Sequence, residues 1–251
     1  MQETSRERLR LDDRLVRDRL YPTRSRAREA IARGVVTVDG VAARKAGQEV
    51  GASACIALDD PASRYVSRAA LKLIAGLDAF GLDPLGKLAL DLGASTGGFT
   101  QVLLERGACR VVAVDVGHAQ MDAALRADGR VDCREGLNAR DLTLDLIGGK
   151  RPEMLVSDVS FISLRLALPP ALELAAPGAA GIFLIKPQFE AGREAIGKGG
   201  LLRDPTIADR TASPLRDWLD AQPGWRALGL VDSPVLGGDG NREFLLGGMK
   251  I

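Results

Sequence analysis

Cysteine is scarce: Cys55, Cys109 and Cys133 lie far apart in the 251-residue chain, and no Cys-x-x-Cys occurs. This argues against a disulfide framework or a zinc site and suits a reducing compartment. The single histidine, His118, has no cysteine or carboxylate at metal-ligand spacing, so no metal is expected. No apolar run approaches the roughly 18–20 residues that span a bilayer. The opening residues, Met1-Gln-Glu-Thr-Ser-Arg-Glu-Arg8, carry no apolar segment of a secretory leader. The expectation is a cytoplasmic protein with no membrane association. Charge of one sign is also missing: 34 Lys and Arg against 33 Asp and Glu leave a net +1. Any surface for nucleic acid must therefore be local.

Against these absences stands Leu88-Ala-Leu-Asp-Leu-Gly-Ala-Ser-Thr-Gly-Gly-Phe-Thr100. Leu88 to Leu92 read as a buried strand. Gly93 ends it, a loop of small residues follows with Gly97 and Gly98, and Phe99, Val102, Leu103 and Leu104 open a helix. Strand, glycine loop and helix form the first unit of a doubly wound α/β sheet, which binds ligands at the carboxyl ends of its strands. The glycine order is Gly-x-x-x-Gly-Gly, not that of a dinucleotide site, and Asp91 precedes it. A carboxylate there suits a ligand with an ammonium group and would repel a pyrophosphate. A second strand, Arg110-Val-Val-Ala-Val-Asp115, ends in an acid at the spacing that holds a ribose diol. S-adenosylmethionine fits both acids, whereas a nicotinamide dinucleotide fits only the second. Its expected contacts are Asp91, Gly93, Ser95, Thr96, Gly97, Gly98, Phe99 and Asp115. Asn138, where a third strand hands over to an adenine-facing loop, joins them. His118 reads as a helix-start or cofactor-pocket residue.

The amino-terminal part reads as a separate small module. Leu11, Leu15, Val16 and Leu20 mark a short amphipathic helix before Pro22. Thr23 caps a second helix, Arg24 to Arg33, with Ala27, Ala30 and Ile31 on its apolar side and Gly34 past its end. Val36-Thr-Val38, Asp39-Gly40 and Val41-Ala42 read as a tight hairpin. Arg24, Arg26, Arg28, Arg33, Arg44 and Lys45 are candidate RNA contacts, set against the plainer reading of a solvated charged face. Asp59-Asp-Pro-Ala-Ser-Arg-Tyr-Val66 is the best boundary. Beyond it, Ser67 to Phe80 has helical period, with Arg68 and Lys72 four apart on one face.

Later strands bring more charge to the same sheet edge. Met154-Leu-Val-Ser-Asp158-Val-Ser-Phe161 reads as the fourth strand with an acid at that edge, and Gly181-Ile-Phe-Leu-Ile-Lys186-Pro-Gln-Phe-Glu190 as the fifth, ending in a lysine that Pro187 places at the rim. Glu243 opens the last strand, which is expected to be antiparallel. An alcohol attacking a sulfonium methyl must lose a proton, and a lysine can position that hydroxyl or accept the proton. Lys186 is therefore the candidate base or hydroxyl-positioning group, with Asp158 and Glu243 as orienters and Lys72 as a second cation. Methyltransferases acting on amino groups commonly end the fourth strand in Asn/Asp-Pro-Pro-Tyr. Ser157-Asp-Val-Ser160 lacks that motif, so an oxygen acceptor is the better reading.

The module around Thr23-Arg-x-x-Ala-x-x-x-Ile-x-x-Gly-x-Val-x-Val-Asp-Gly40 resembles the S4 RNA-binding domain. The remainder resembles the FtsJ-like ribose methyltransferases, and the whole chain resembles the TlyA, or hemolysin A-like, family. The resemblance is carried by Tyr65-Val-Ser-Arg-Ala-Ala-Leu-Lys72, Asp91 to Phe99, Val114 to Gly117, Ser157 to Phe161, Ile185 to Glu190, Lys198 to Pro205 and Asn241 to Phe244. It implies an α/β fold: a Rossmann-like methyltransferase sheet over 68–251 with an antiparallel last strand. A small α+β S4-like domain over 1–60 and a linker over 61–67 would precede it. It further implies a Lys72–Asp158–Lys186–Glu243 tetrad and 2′-O-methylation of cytidine in ribosomal RNA, with ribosomal subunits as partners and Arg68 among the RNA contacts. Lys198-Gly-Gly200 is expected to form a loop near the site or a plain surface turn. The alternatives are a non-catalytic RNA-binding assembly factor, a membrane-lytic protein and a small-molecule O-methyltransferase. The four charged rim residues weigh against the first, the lack of a lytic segment against the second and the arginine-rich module against the third.

Overall fold

A computed structural model describes residues 8–238 and 240–251. The chain divides into two compact units between Arg64 and Tyr65. The residues around this division pack into one unit or the other. Ala62 is buried, and its amide donates to Asp60 while its carbonyl accepts from Arg26 in the first unit. Tyr65 packs in the core of the second unit, and the Val66 amide donates to Gln101 there.

The first unit runs β1 (Arg8–Arg10), α1 (Leu11–Arg17), α2 (Arg24–Arg33), β2 (Val36–Val38), β3 (Val41–Ala42), β4 (Glu49–Gly51) and β5 (Ile56–Leu58). Thr23 caps α2 through Oγ1, which accepts from the Arg26 amide at 3.3 Å, and Gly34 ends it in the left-handed conformation. Asp39 and Gly40 have φ of 50° and 79°, the pair of positive angles that a two-residue hairpin turn requires. The resulting hairpin joins β2 and β3, while β5 pairs with the other side of β2 and β1 pairs with β4. Leu11, Leu15, Ala27, Ala30, Ile31, Val36 and Val50 fill the core. Leu20, expected on the apolar face of the first helix, lies outside this core. The helix stops at Arg17 and the chain reverses at Arg19 (φ 59°), so Tyr21 is buried instead.

The second unit is a seven-stranded sheet with helices on both faces. Its elements are α3 (Ala70–Phe80), β6 (Leu88–Leu92), α4 (Gly98–Glu105), β7 (Arg110–Asp115), α5 (Ala123–Ala127), β8 (Val131–Glu135) and β9 (Met154–Ser157). They continue with α6 (Leu164–Ala167), α7 (Pro169–Leu174), β10 (Ala180–Ile185), α8 (Pro187–Glu190), α9 (Ile207–Asp220), β11 (Trp225–Asp232) and β12 (Phe244–Lys250). The strand order is β11-β12-β10-β9-β6-β7-β8, with β12 antiparallel to both neighbours. From β6 the chain winds outward through β7 and β8, then returns to the other side through β9 and β10. The order therefore reverses between β6 and β9, where doubly wound sheets open a ligand crevice. Side-chain alternation separates two cores. Leu90, Leu92, Leu155, Phe183 and Leu246 pack with α6, α7 and α9, whereas Ala89, Val156, Ile182, Leu184 and Leu245 pack with α3 and α4. Among the described residues, no helix is long and apolar enough to cross a membrane.

Helix α3, which carries Lys72, lies close against the sheet at Gly76, where an added Cβ would stand 2.9 Å from Ile182 Cγ2. Alanine is the better helix former by about 1 kcal/mol, but overpacking a filled core costs about 1–3 kcal/mol. Gly76→Ala is therefore expected to lower stability in urea unfolding; a rise would mean that α3 can shift outward freely.

Candidate active site

The loop after β6 has glycine where nothing larger fits. Gly93 has φ +78°, and a Cβ there would meet the Asp158 carbonyl oxygen at 2.8 Å. Gly97 has φ +98°, with Leu125 Cδ1 2.4 Å from the place of its Cβ. Asp91, fully buried one residue before the strand ends, accepts from Thr100 Oγ1 at 2.7 Å through Oδ2, while its Oδ1 has no partner. Burial pushes this carboxyl up to about 7; the Thr100 hydrogen bond opposes the rise, and the charges of Asp158 and Asp115 add to it. An under-partnered buried carboxylate gains most from a cation, so Asp91 fits the ammonium end of S-adenosylmethionine.

Beside the loop opens a cavity of about 1420 Å³, lined among others by Gly93, Ser95, Asp115, Asn138, Asp158 and Phe161. Asp115 uses each oxygen once within the protein, accepting from the Ser95 amide at 2.8 Å and the Gly117 amide at 2.7 Å. It fastens the loop, and its remaining lone pairs are what a ribose diol can use. Asn138 caps the short turn Ala139–Asp141 by accepting from the Arg140 amide. Gln120, which sequence reasoning missed, lines the same cavity and accepts from Ser95 Oγ at 2.9 Å. Thr96, Gly98 and Phe99 face a smaller cavity of about 170 Å³ together with Ser67, Asp158 and Lys186. His118 is exposed and packs against Gly136.

The four rim residues form two ion pairs. Lys72 Nζ lies 2.5 Å from Glu243 Oε2, with side-chain exposures of 6% and 2%. Lys186 Nζ lies 2.6 Å from Asp158 Oδ1 and donates to Ser160 Oγ at 2.7 Å. Sheet register brings the pairs to one edge: Ile185 is opposite Phe244, so Lys186 and Glu243 flank the same rung. Asp158 follows Ser157, the partner of Phe183. Because α3 begins at Ala70, Arg68 stands in the turn before the helix, not one turn below Lys72 on it as its spacing suggested.

Sequence reasoning also missed Ser160, Phe161 and Asn241. Phe161 is 89% exposed at φ +64°, with its ring 5.0 Å from that of Phe189. A bulky residue in that conformation is a strained outlier of the kind that clusters at functional sites. Asn241 is buried, accepts from the Leu202 amide at 3.0 Å and donates to the Gly200 carbonyl at 2.8 Å. These bonds pin the loop that contains Lys198-Gly-Gly200.

The candidate RNA contacts differ in their freedom. Arg24 and Arg28 are held by the buried Asp12, and Arg24 also reaches Asp13. Arg26 donates to the Ala62 carbonyl, while Arg44 and Lys45 are exposed. Arg33 is turned inward, contrary to its expected role: only 18% of its side chain is exposed, and it pairs with Asp60, which also accepts from Tyr21. A charge count cannot distinguish an inward guanidinium from an outward one.

A doubly wound sheet with an antiparallel strand beside its fifth, a glycine loop after its first and acids at both cofactor positions defines an S-adenosylmethionine-dependent methyltransferase. The FtsJ-like methyltransferase family model matches residues 65–250, and the S4 domain model matches residues 9–54. The chain belongs to the FtsJ-like methyltransferases and, within them, to the TlyA family that carries an S4 domain. The chain is 44% identical over 241 residues to the 16S/23S rRNA (cytidine-2′-O)-methyltransferase TlyA of Mycobacterium tuberculosis, covering 95% of this chain and 89% of TlyA. It is 36% identical to hemolysin A of Brachyspira hyodysenteriae, covering 94% and 98% of the two chains. The solved structure of a hemolysin-named protein from Streptococcus thermophilus superposes with a TM-score of 0.75 at 37% identity, covering 98% of this chain and 90% of that one.

The raised Asp91 carboxyl sets a pH dependence in the cofactor-free protein. Between the unfolded value near 4 and the folded value of about 7, the folded chain holds the extra proton. Stability is therefore lost as pH rises through that window. Relative to Asp91→Asn, which does not titrate, the wild type should lose up to about 1.4 kcal/mol per pH unit between pH 5 and 7. Urea unfolding at stepped pH measures the difference; parallel profiles would refute the assignment.

Proposed function

We propose that the protein methylates the 2′-hydroxyl of a cytidine in ribosomal RNA, on assembled ribosomal subunits in the cytoplasm, with its S4 unit over 1–60 holding the RNA. The observation that carries this reading is the Lys186 ammonium, fixed between Asp158 and Ser160 at the sheet edge beside the glycine loop. The name of the M. tuberculosis relative supports the choice of cytidine 2′-oxygen and ribosomal RNA.

S-adenosylmethionine supplies an electrophilic methyl group on a sulfonium. Asp91 and the Gly93–Phe99 loop hold its methionine end, while Asp115 and Asn138 hold its ribose and adenine. Lys186 Nζ takes the target hydroxyl as a hydrogen-bond partner in place of Ser160, orients its oxygen and, when neutral, accepts its proton. Asp158 fixes the lysine's position. Lys72 and Glu243 form a second, nearly water-free pair that sets the field at the same edge, where low polarity strengthens each charge. Phe161, displayed at the mouth of the cavity, offers a face on which the target base can stack. Arg24, Arg26, Arg28, Arg44, Lys45 and Arg68 contact the RNA chiefly through phosphates, and Arg33 maintains the S4 core.

The test is transfer of radiolabel from S-adenosylmethionine to ribosomal subunits from a strain lacking the enzyme. Label should enter RNA at a nucleotide that resists alkaline cleavage. Lys186→Ala should lose about 10²–10⁴-fold in kcat while still binding cofactor, the usual range for a positioned acid–base group. Binding of subunits without transfer by the wild type would instead indicate a non-catalytic assembly role. Phe161→Ala should lower kcat/KM by about 10–100-fold, as expected for one lost base stack, and Phe161→Tyr should restore it. Equal activity in all three proteins would remove Phe161 from the site.

A further inference from the structure

The first unit buries two aspartates that use arginine in different ways. Asp60 draws Arg33 inward beside Tyr21. Asp12, with no exposed surface, is bound by three guanidinium groups at once. Arg10 donates to it from Nε at 3.1 Å and Nη2 at 3.3 Å, Arg24 from Nη2 at 3.0 Å and Arg28 from Nε at 2.8 Å. All three side chains remain about half exposed, at 48%, 45% and 52%. Each guanidinium has five N–H donors in a rigid fork, so each keeps donors beyond the one or two it spends on Asp12. Arg24 Nε also meets Asp13 at 2.9 Å. Burial would raise the Asp12 carboxyl, but the hydrogen bonds from Arg10, Arg28 and Arg24 more than reverse this and hold it well below the ordinary carboxylate range.

We propose that Asp12 is a positioning residue for RNA binding: one buried carboxylate fixes Arg10, Arg24 and Arg28 as a fan of guanidinium planes whose outer donors grip backbone phosphates. The inference rests on the RNA-binding reading of this unit. A free arginine loses rotamer freedom when it meets a phosphate, whereas these three have already lost it in the fold. Arg10 and Asp12 thereby join the RNA-binding apparatus, Arg10 by contact and Asp12 through the arginines.

Charge counting and positioning predict opposite signs. Asp12→Asn makes the chain more positive by one, which on Coulombic grounds alone tightens RNA binding; loss of the fan weakens it. Filter binding of the full chain to purified ribosomal subunits, over a salt series, distinguishes the two. Asp12→Asn should bind on the order of tenfold more weakly. Asp60→Asn, which loses a buried carboxylate in the same unit but leaves the fan intact, should stay within about twofold of wild type. Tighter or unchanged binding by Asp12→Asn, or an equal loss in Asp60→Asn, would overturn the proposal. Should Asp12→Asn fail to fold, Arg28→Lys decides: it keeps the charge but not the fork, so affinity should fall several-fold with an unchanged salt slope, and wild-type affinity would refute the fan. If the wild type itself does not bind subunits, the RNA-binding reading fails, and the inference with it.

Discussion

The close approach of Gly93 to the Asp158 carbonyl controls the geometry of the second unit. It occurs where strand order reverses between β6 and β9, so the cofactor loop and the end of the fourth strand share one crevice. A methyl group at residue 93 would push these backbones apart. Asp158 would then move away from the loop, and Lys186, tied to Asp158, would move with it. The glycine loop and the Lys186–Asp158 pair are thus registered to one another by backbone packing at Gly93.

Much of this was legible in the sequence because long apolar runs admit few arrangements. Leu88–Leu92, Arg110–Asp115 and Ala180–Ile185 could only be buried strands, and the acids and lysine at their ends had to reach one edge. Glu243 was legible as the start of a final strand, but its partner was not: Lys72 is 171 residues away. Other features have no local signature. A three-residue strand such as β1 or β4 exists only through its pairing, and nothing in Ser160-Phe161-Ile162 announces a positive φ at Phe161. Ser160 and Phe161 read as strand-end residues because the apolar pattern does not mark where β9 stops, at Ser157. The arginines showed the deepest limit, since direction depends on where the buried carboxylates fall.

The two units solve the same electrostatic problem with opposite aims. In the S4 unit the buried carboxylates are partnered within the fold, Asp12 by three guanidinium groups and Asp60 by Arg33, the Tyr21 hydroxyl and the Ala62 amide. In the methyltransferase unit, Asp91 is left with an unpartnered oxygen, so the folded chain carries a local defect that a cationic ligand can repair. A carboxylate that costs stability when alone contributes binding energy when the ligand arrives.

The place of β12 has a consequence for biosynthesis. This strand is the latest of the sheet in chain order, yet it enters the interior between β10 and β11 rather than adding to an edge. Until it emerges from the translating ribosome, β10 and β11 have no common neighbour and Lys72 has no Glu243. A nascent chain can already display its S4 unit while the rim of the sheet is incomplete. The order of synthesis thus separates the two units: the S4 unit can form before Glu243, and with it the Lys72–Glu243 pair, has been made.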